Sequence, residues 1–410
     1  MRLPKLHSDE LIDAGIPEPS ATAPFKAVPT ALLLISDLEF GGAQRQVIEL
    51  ANNMDPARFD IHVCCFSHYV PLASMLRDPE SRLHVIPKRH KFDFGVVPKL
   101  VRLMRELRVV VLHTFLFDAE FYGRLAGRLA GVSVIIGSER NANYSVPRRH
   151  RLAYGITRGC VDLIIANSGA GAEFNSRTFH LPKARYRVVH NGVDAERFRP
   201  RDSSLLRAEL GIPERRPVIG MFASFKPRKN HSLLLAAGRR VIERYPKVLF
   251  LFVGDELHHG MSHSSKNKKE INALVDRFQL REHCLFLGNR PDVEKYYSLC
   301  DLTVLPSLME GTPNAALESM ASGVPVLATD VSDNAKIIPD GKVGFVVPLN
   351  DEAALADRIC RLLDAEDLRK QMGHEARKWV VQEFSGARLA GKTAAVYEET
   401  LVGKEAMNGK

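Results

Sequence analysis

Short apolar runs alternate with amphipathic stretches from about residue 31 onward. In the first half they read "ALLLIS" (31–36), "IHVCCF" (61–66), "VVVLHT" (109–114), "VSVIIGS" (132–138) and "VDLIIANS" (161–168). Unbroken runs of this length are strands with both faces covered, as in a parallel sheet between helical layers. The intervening segments at 42–53 and 119–130 carry the helical period that such layers need. The pattern predicts a doubly wound α/β domain.

Around 191–217, in "NGVDAERFRPRDSSLLRAELGIPERRP", charge and proline replace the alternation, which restarts at "VIGMFAS". A second βα series follows: "VLFLFVG", "CLFLG", "DLTVLPS" and "VPVLATD". We therefore expect a flexible leader over 1–28, one Rossmann-like domain over 29–205 and another over 206–385. The helix 386–410 is expected to pack back on the first domain. Two such domains would turn the C-terminal ends of their strands toward a shared central cleft.

The length of 410 residues fits two domains, and 45% hydrophobic with 26% charged residues fits a folded chain. The leader lacks the apolar centre of a secretory signal, and no run reaches the ~20 residues of a membrane span. Six cysteines without CxxC spacing suggest reduced thiols in a cytoplasmic protein. "HHGMSH" (258–263) leads into "SSKNKK", a polar loop with no acidic or thiol partner, so no metal site is expected. Net charge is +9, and between residues 82 and 151 fourteen Lys and Arg stand against five Asp and Glu. Lys99, Arg102 and Arg105 share one side of a predicted helix, opposite Leu100, Leu103 and Leu107. This basic face is either a solvated helix surface or an attraction for an anionic membrane or acceptor. No aromatics interleave with it, so nucleic acid is not an expected partner.

"EGTPNAALESMASGVPVLATD" (310–330) sets two glutamates, Glu310 and Glu318, in small and apolar company. It parses as loop, helix and strand: Thr312 as cap, Pro313 in the first turn, Gly323 as terminator. The amides around Gly311, Thr312 and Asn314 would then meet an anion at the positive end of a helix. A carboxylate beside such a site suits sugar hydroxyls, to which it accepts strong hydrogen bonds. "SFKPRKNH" (224–231) places Lys226, Arg228 and Lys229 at another strand end of the same domain, where they could neutralise a diphosphate. A nucleoside diphosphate sugar has this layout of ribose, phosphates and hexose.

Together "EGTPNAALE", "SMASGVPVLATD", "FLGNRPDV", "HNGVDAERF" and "GGAQRQVIELA" resemble the retaining glycosyltransferases of family 4, over about 31–401. The resemblance implies the two-domain GT-B fold and transfer of a hexose, with UDP as the default nucleotide, in polysaccharide or glycolipid synthesis. It implies that Glu310 grips the donor hexose and Glu318 the ribose. Gly311, Thr312, Pro313 and Asn314 would line the sugar and diphosphate, Lys229 and Arg228 the diphosphate, and Asn289 and Arg290 the base. Gly41, Gly42, His113 and Arg140 are the candidates in the first domain. Glu310, Lys229 and Arg228 are assigned the catalytic roles. No divalent metal or other cofactor is implied, and no D-x-D triplet occurs.

The chain departs from the family pattern at Ala223-Ser224-Phe225, where relatives commonly read G-R-L, and at Phe115, where many carry a second histidine. The expected partners are a nucleotide-sugar donor and a glycan or lipid-linked acceptor, with peripheral attachment to the inner membrane leaflet. A glycoside hydrolase using the two glutamates, a nucleotide-sugar epimerase and a non-catalytic nucleotide-sugar-binding relative are the alternative readings.

Overall fold

The computed structural model describes residues 27–90, 92–140, 146–255 and 262–408. Most of the expected leader, Lys91 of the basic stretch and most of "HHGMSH" lie outside the described residues. The chain divides into two compact units, one formed by 1–192 with 386–410 and the other by 193–385.

The first unit holds a seven-stranded sheet. Its strands are β1 (Thr30–Ile35), β2 (Asp60–Cys65), β3 (Leu83–Val85), β4 (Val109–Phe115), β5 (Val134–Glu139), β6 (Leu163–Ala166) and β7 (Tyr186–Val188). They lie in the order β3-β2-β1-β4-β5-β6-β7, all parallel. The continuous apolar runs are explained by the two cores they separate. In β1, Ala31, Leu33 and Ile35 enter one core while Leu32 and Leu34 enter the other. The helix Val96–Glu106 buries Val96, Leu100 and Met104, leaving Lys99, Arg102 and Arg105 exposed. Arg102 pairs with Glu106 at 2.7 Å.

The C-terminal helix Gly386–Asn408 belongs to this first unit. It contributes Leu389, Ala394, Val396, Tyr397 and Leu401 to the core beside the helix Gly42–Asn53. Arg58 pins it through Glu398 at 2.7 Å and Arg187 through Glu399 at 2.5 Å.

The second unit repeats the plan with β8 (Val218–Phe222), β9 (Leu249–Val253), β10 (Cys284–Gly288), β11 (Leu302–Leu305), β12 (Val326–Thr329) and β13 (Gly344–Val347). Their order is β10-β9-β8-β11-β12-β13, again parallel. β8 sends Val218 and Phe222 into one core and Ile219 and Met221 into the other. This unit starts at Val193, earlier than the compositional boundary at 205/206. Val193 donates to the Phe384 carbonyl at 2.8 Å, and Phe198 packs edge-on against Tyr297. The charged, proline-rich stretch is the outer surface of the second unit, anchored by these two apolar residues.

In each sheet the strand order reverses once, between β1 and β4 and between β8 and β11. At such a switch point the two chain exits turn to opposite faces and leave a crevice at the strands' C-terminal ends. Among the described residues no helix is long and apolar enough to cross a membrane. All six cysteines are unpaired.

One glycine holds the second switch point in shape. Gly254, just after β9, has φ of 130°, and a Cβ there would stand 2.3 Å from the Ala223 carbonyl oxygen. Gly254→Ala should cost about 2 kcal/mol or more, because both the left-handed backbone and the contact with β8's exit must be disturbed. Urea unfolding measured against the parent chain checks this.

Candidate active site

The chain leaves β8 through Ser224–Asn230 and leaves β11 through Pro306–Pro313, so these two loops are neighbours at the reversal of the second sheet. A backbone bond ties them: the Leu308 amide donates to the Arg228 carbonyl at 2.8 Å. The first loop closes as a single tight turn, Pro227–Lys229, with Asn230 in the left-handed region that asparagine tolerates. The helix His231–Arg244 starts at once. Behind it, His231 is buried and stacked on Phe225, and burial together with Lys229 pushes its imidazole down to about 3.

Glu310 is buried and accepts two hydrogen bonds on Oε1, from Lys229 Nζ at 2.5 Å and Ser307 Oγ at 2.7 Å. Burial opposes its ionisation, but Lys229, Arg228 and the two hydrogen bonds outweigh it and hold the carboxyl below its ordinary range. Lys226 is lowered by burial and by the neighbouring charges of Arg228 and Lys229. Lys229 and Arg228 thus act on one carboxylate, with Lys226 as a third cation beside them. Among the described residues neither Lys226 nor Arg228 forms an ion pair, so the loop retains excess positive charge for an anion.

Glu310 is held from further away as well. Ser332, in the left-handed region at φ of 53°, donates its hydroxyl to the Glu310 carbonyl. Thr329 Oγ1 donates to the Ser307 carbonyl at 2.5 Å. Neither residue was legible as part of the site, because each comes from β12 or its exit and meets Glu310 only through the sheet.

The helix that follows is Asn314–Ala321, and Pro313 takes the cap position expected of Thr312. Lacking an N–H, Pro313 donates nothing there; its carbonyl accepts from the Ala316 amide at 3.1 Å. Thr312 is buried beside it. Gly323 ends the helix as expected, with φ of 74° and the Val324 amide donating to the Ser319 carbonyl at 3.0 Å. Glu318 is buried in the second turn and accepts from Tyr297 OH at 2.7 Å, while the Tyr297 ring stacks on Phe222 at 3.7 Å.

The other candidates are more scattered. Asn289 and Arg290 are exposed just beyond β10, at the same edge of the sheet, with the Arg290 guanidinium 5.7 Å from the Tyr296 ring centre. Gly41 and Gly42 open the helix Gly42–Asn53 after β1 in the first unit, Gly41 being extended with φ of −152°. His113 is wholly buried and its ring nitrogens engage Tyr397 OH at 2.6 Å and Ser138 Oγ at 2.7 Å. Burial first, then Arg140, holds its imidazole well below the ordinary value. His113 is a packed, neutral core residue and has no open nitrogen for a substrate. Arg140 lies half-buried beyond the end of β5.

Because the folded-state value of Glu310 is depressed, its contribution to stability exists above the unfolded carboxyl value of about 4.3 and is lost as pH falls through the folded one. Glu310→Gln should therefore be less stable than the parent at pH 7, with the gap closing below about pH 4. Urea midpoints of both chains across that range test this.

Two family models match the chain: "Glycosyltransferase Family 4" over residues 40–197 and "Glycosyl transferases group 1" over 202–379. The chain is 26% identical to the Escherichia coli UDP-Gal:alpha-D-GlcNAc-diphosphoundecaprenol alpha-1,3-galactosyltransferase, across 88% of this chain and 95% of that one. It is 25% identical to the N-acetyl-alpha-D-glucosaminyl L-malate synthase of Bacillus anthracis, across 78% and 82% of the two chains. The solved structure of Anabaena HepE in complex with UDP and glucose superimposes with a TM-score of 0.78 at 21% identity, covering 90% of this chain and 99% of that one. At that identity the likeness speaks for the fold, two parallel α/β units of the GT-B type. The chain belongs to the family 4 glycosyltransferases, whose two models span its two units in turn, and it is a glycosyltransferase.

Proposed function

We propose that the chain moves a hexose from a nucleotide-diphosphate sugar, with UDP as the nucleotide, to a hydroxyl of a glycan or lipid-linked acceptor, with retention at the anomeric carbon. The observation that carries this reading is the meeting of Lys229 and Arg228 with Glu310, beside Lys226, at the switch point of the second sheet. UDP in the HepE structure and UDP-galactose in the name of the E. coli enzyme support the choice of nucleotide. The diphosphoryl lipid in that enzyme's name supports the acceptor class.

In this reading the bond between the anomeric carbon and the diphosphate breaks as the acceptor oxygen bonds to that carbon, and the acceptor's proton passes to the departing diphosphate. Negative charge grows on the leaving group, where Lys229, Arg228 and the amides at the start of the helices His231–Arg244 and Asn314–Ala321 stabilise it. These fixed charges serve in place of a divalent ion. Both contacts of Glu310 fall on Oε1, so Oε2 is available to a sugar hydroxyl. Glu318, oriented by Tyr297, is assigned to the ribose, and Asn289 and Arg290 to the base.

Lys229→Ala should lower turnover about 100-fold, matching the ~2.7 to 4 kcal/mol of a lost oxyanion donor. A chelator should leave the parent rate unchanged. Product formation from UDP-sugars, with the anomeric configuration read by NMR, checks the reading; near-parent turnover of Lys229→Ala would remove that residue from the reaction.

The exposed Lys99 and Arg105, with Phe92 67% exposed nearby in sequence, support peripheral attachment to an anionic bilayer. The whole chain should co-sediment with vesicles containing phosphatidylglycerol and far less with phosphatidylcholine alone, the difference fading as salt rises.

A further inference from the structure

Several arginines that the fold draws inward have carboxylate partners. Arg124, wholly buried, pairs with Glu120 at 3.2 Å; Arg58 and Arg187 pair with Glu398 and Glu399. Arg140 does not. Its guanidinium donates only two long bonds, to Asn191 Oδ1 at 3.3 Å and to Ser138 Oγ at 3.4 Å, and lies 4.8 Å from the centre of the Phe115 ring. Its Nε is buried with no hydrogen-bond partner. Among the described residues no carboxylate lies within ion-pair distance of it. A guanidinium carries five donors, and leaving a half-buried one with two long bonds and a buried, unpaired Nε beside neutral oxygens costs stability unless something else uses the charge.

The surroundings hold this cation in place. Ser138 Oγ, which Arg140 touches, is bonded to His113, and His113 to Tyr397 of the C-terminal helix. Burial lowers the guanidinium to about 10, an effect that Tyr397 and Glu139 partly oppose, so at neutral pH it stays charged. A fixed, charged and under-bonded guanidinium beyond the C-terminal end of β5 is a receptor for a planar or tetrahedral anion. The donor's diphosphate already has Lys229 and Arg228 in the second unit.

We propose that Arg140 receives an anionic group, phosphate or carboxylate, of the acceptor, so that the acceptor is a charged molecule and not a neutral sugar. This rests on the glycosyl-transfer reading above and narrows it.

The test is calorimetry on the whole chain saturated with UDP, with inorganic phosphate as titrant. Phosphate should bind the parent, at least about tenfold more weakly to Arg140→Met, and with intermediate strength to Arg140→Lys, while UDP affinity stays the same in all three. Circular dichroism confirms that the variants are folded, and Arg140→Lys stands in should the methionine variant fail to fold. Phosphate binding no tighter to the parent than to the variants, absent binding included, overturns the proposal. Weaker UDP binding in Arg140→Met also overturns it, by giving the arginine to the donor. Failure of the parent to bind UDP strikes instead at the function proposed above. A second measurement compares transfer to one sugar carried on a diphosphoryl lipid and on an uncharged alkyl glycoside. The charged acceptor should be favoured in kcat/KM by the parent and lose that advantage in Arg140→Met; equal use of both by the parent overturns the proposal.

Discussion

In a parallel sheet whose strand order reverses, two neighbouring strands release their chains to opposite faces, and the loops between them have no helix to lie against. Everything chemical in the second unit follows from that constraint. β8 and β11 are such neighbours, so "SFKPRKN" and "SLMEGTP", separated by some eighty positions of sequence, share one crevice. The helices that begin immediately after each loop aim their amide ends at the same place. Chain connectivity builds the positive field before any side chain is considered.

Side chains then raise that field at a cost to the fold. Three cations within four residues repel one another, as the lowered Lys226 ammonium records. Glu310 offsets part of this repulsion while remaining charged in a buried place. The Ser307 hydroxyl supplies one of the fixed dipoles that a buried carboxylate requires, while Ser332 and Thr329 hold the backbone carbonyls of Glu310 and Ser307 in place. What is lost where charge is concentrated is recovered in the apolar cores that flank the two sheets.

How much of this was legible in the sequence depended on range. Strands such as "ALLLIS" and "VLFLFVG" were readable because burial on both faces erases polar alternation. The edge strands of the first sheet were not: β3 and β7 are three residues each, and β3 is only half-buried, so neither gives a run long enough to stand out. The Glu310 loop and its cationic neighbour were legible because each sits at a strand exit with its own local signal. Ser332 and Tyr297 reach the glutamates only through tertiary contacts, and nothing adjacent to them in sequence says so. The unit boundary was misplaced for a related reason: Val193 and Phe198 are two anchoring residues amid charge, and composition averages them away. His113 became a candidate through the family resemblance alone, whereas its partners Ser138 and Tyr397, distant in sequence, make it a packed core residue.

The C-terminal helix has a consequence for the order in which the molecule can be completed. The first unit is interrupted by the whole of the second, and its last core residues, Tyr397 and Leu401 among them, are made only after the second unit. A nascent chain can close the second sheet while the first still exposes the groove beside Gly42–Asn53 to solvent. Until the tail arrives, His113 has no phenol to bond and Arg58 and Arg187 have no acids to meet. Synthesis itself therefore delays the first unit, whose core stays open until residues 386–401 have been made.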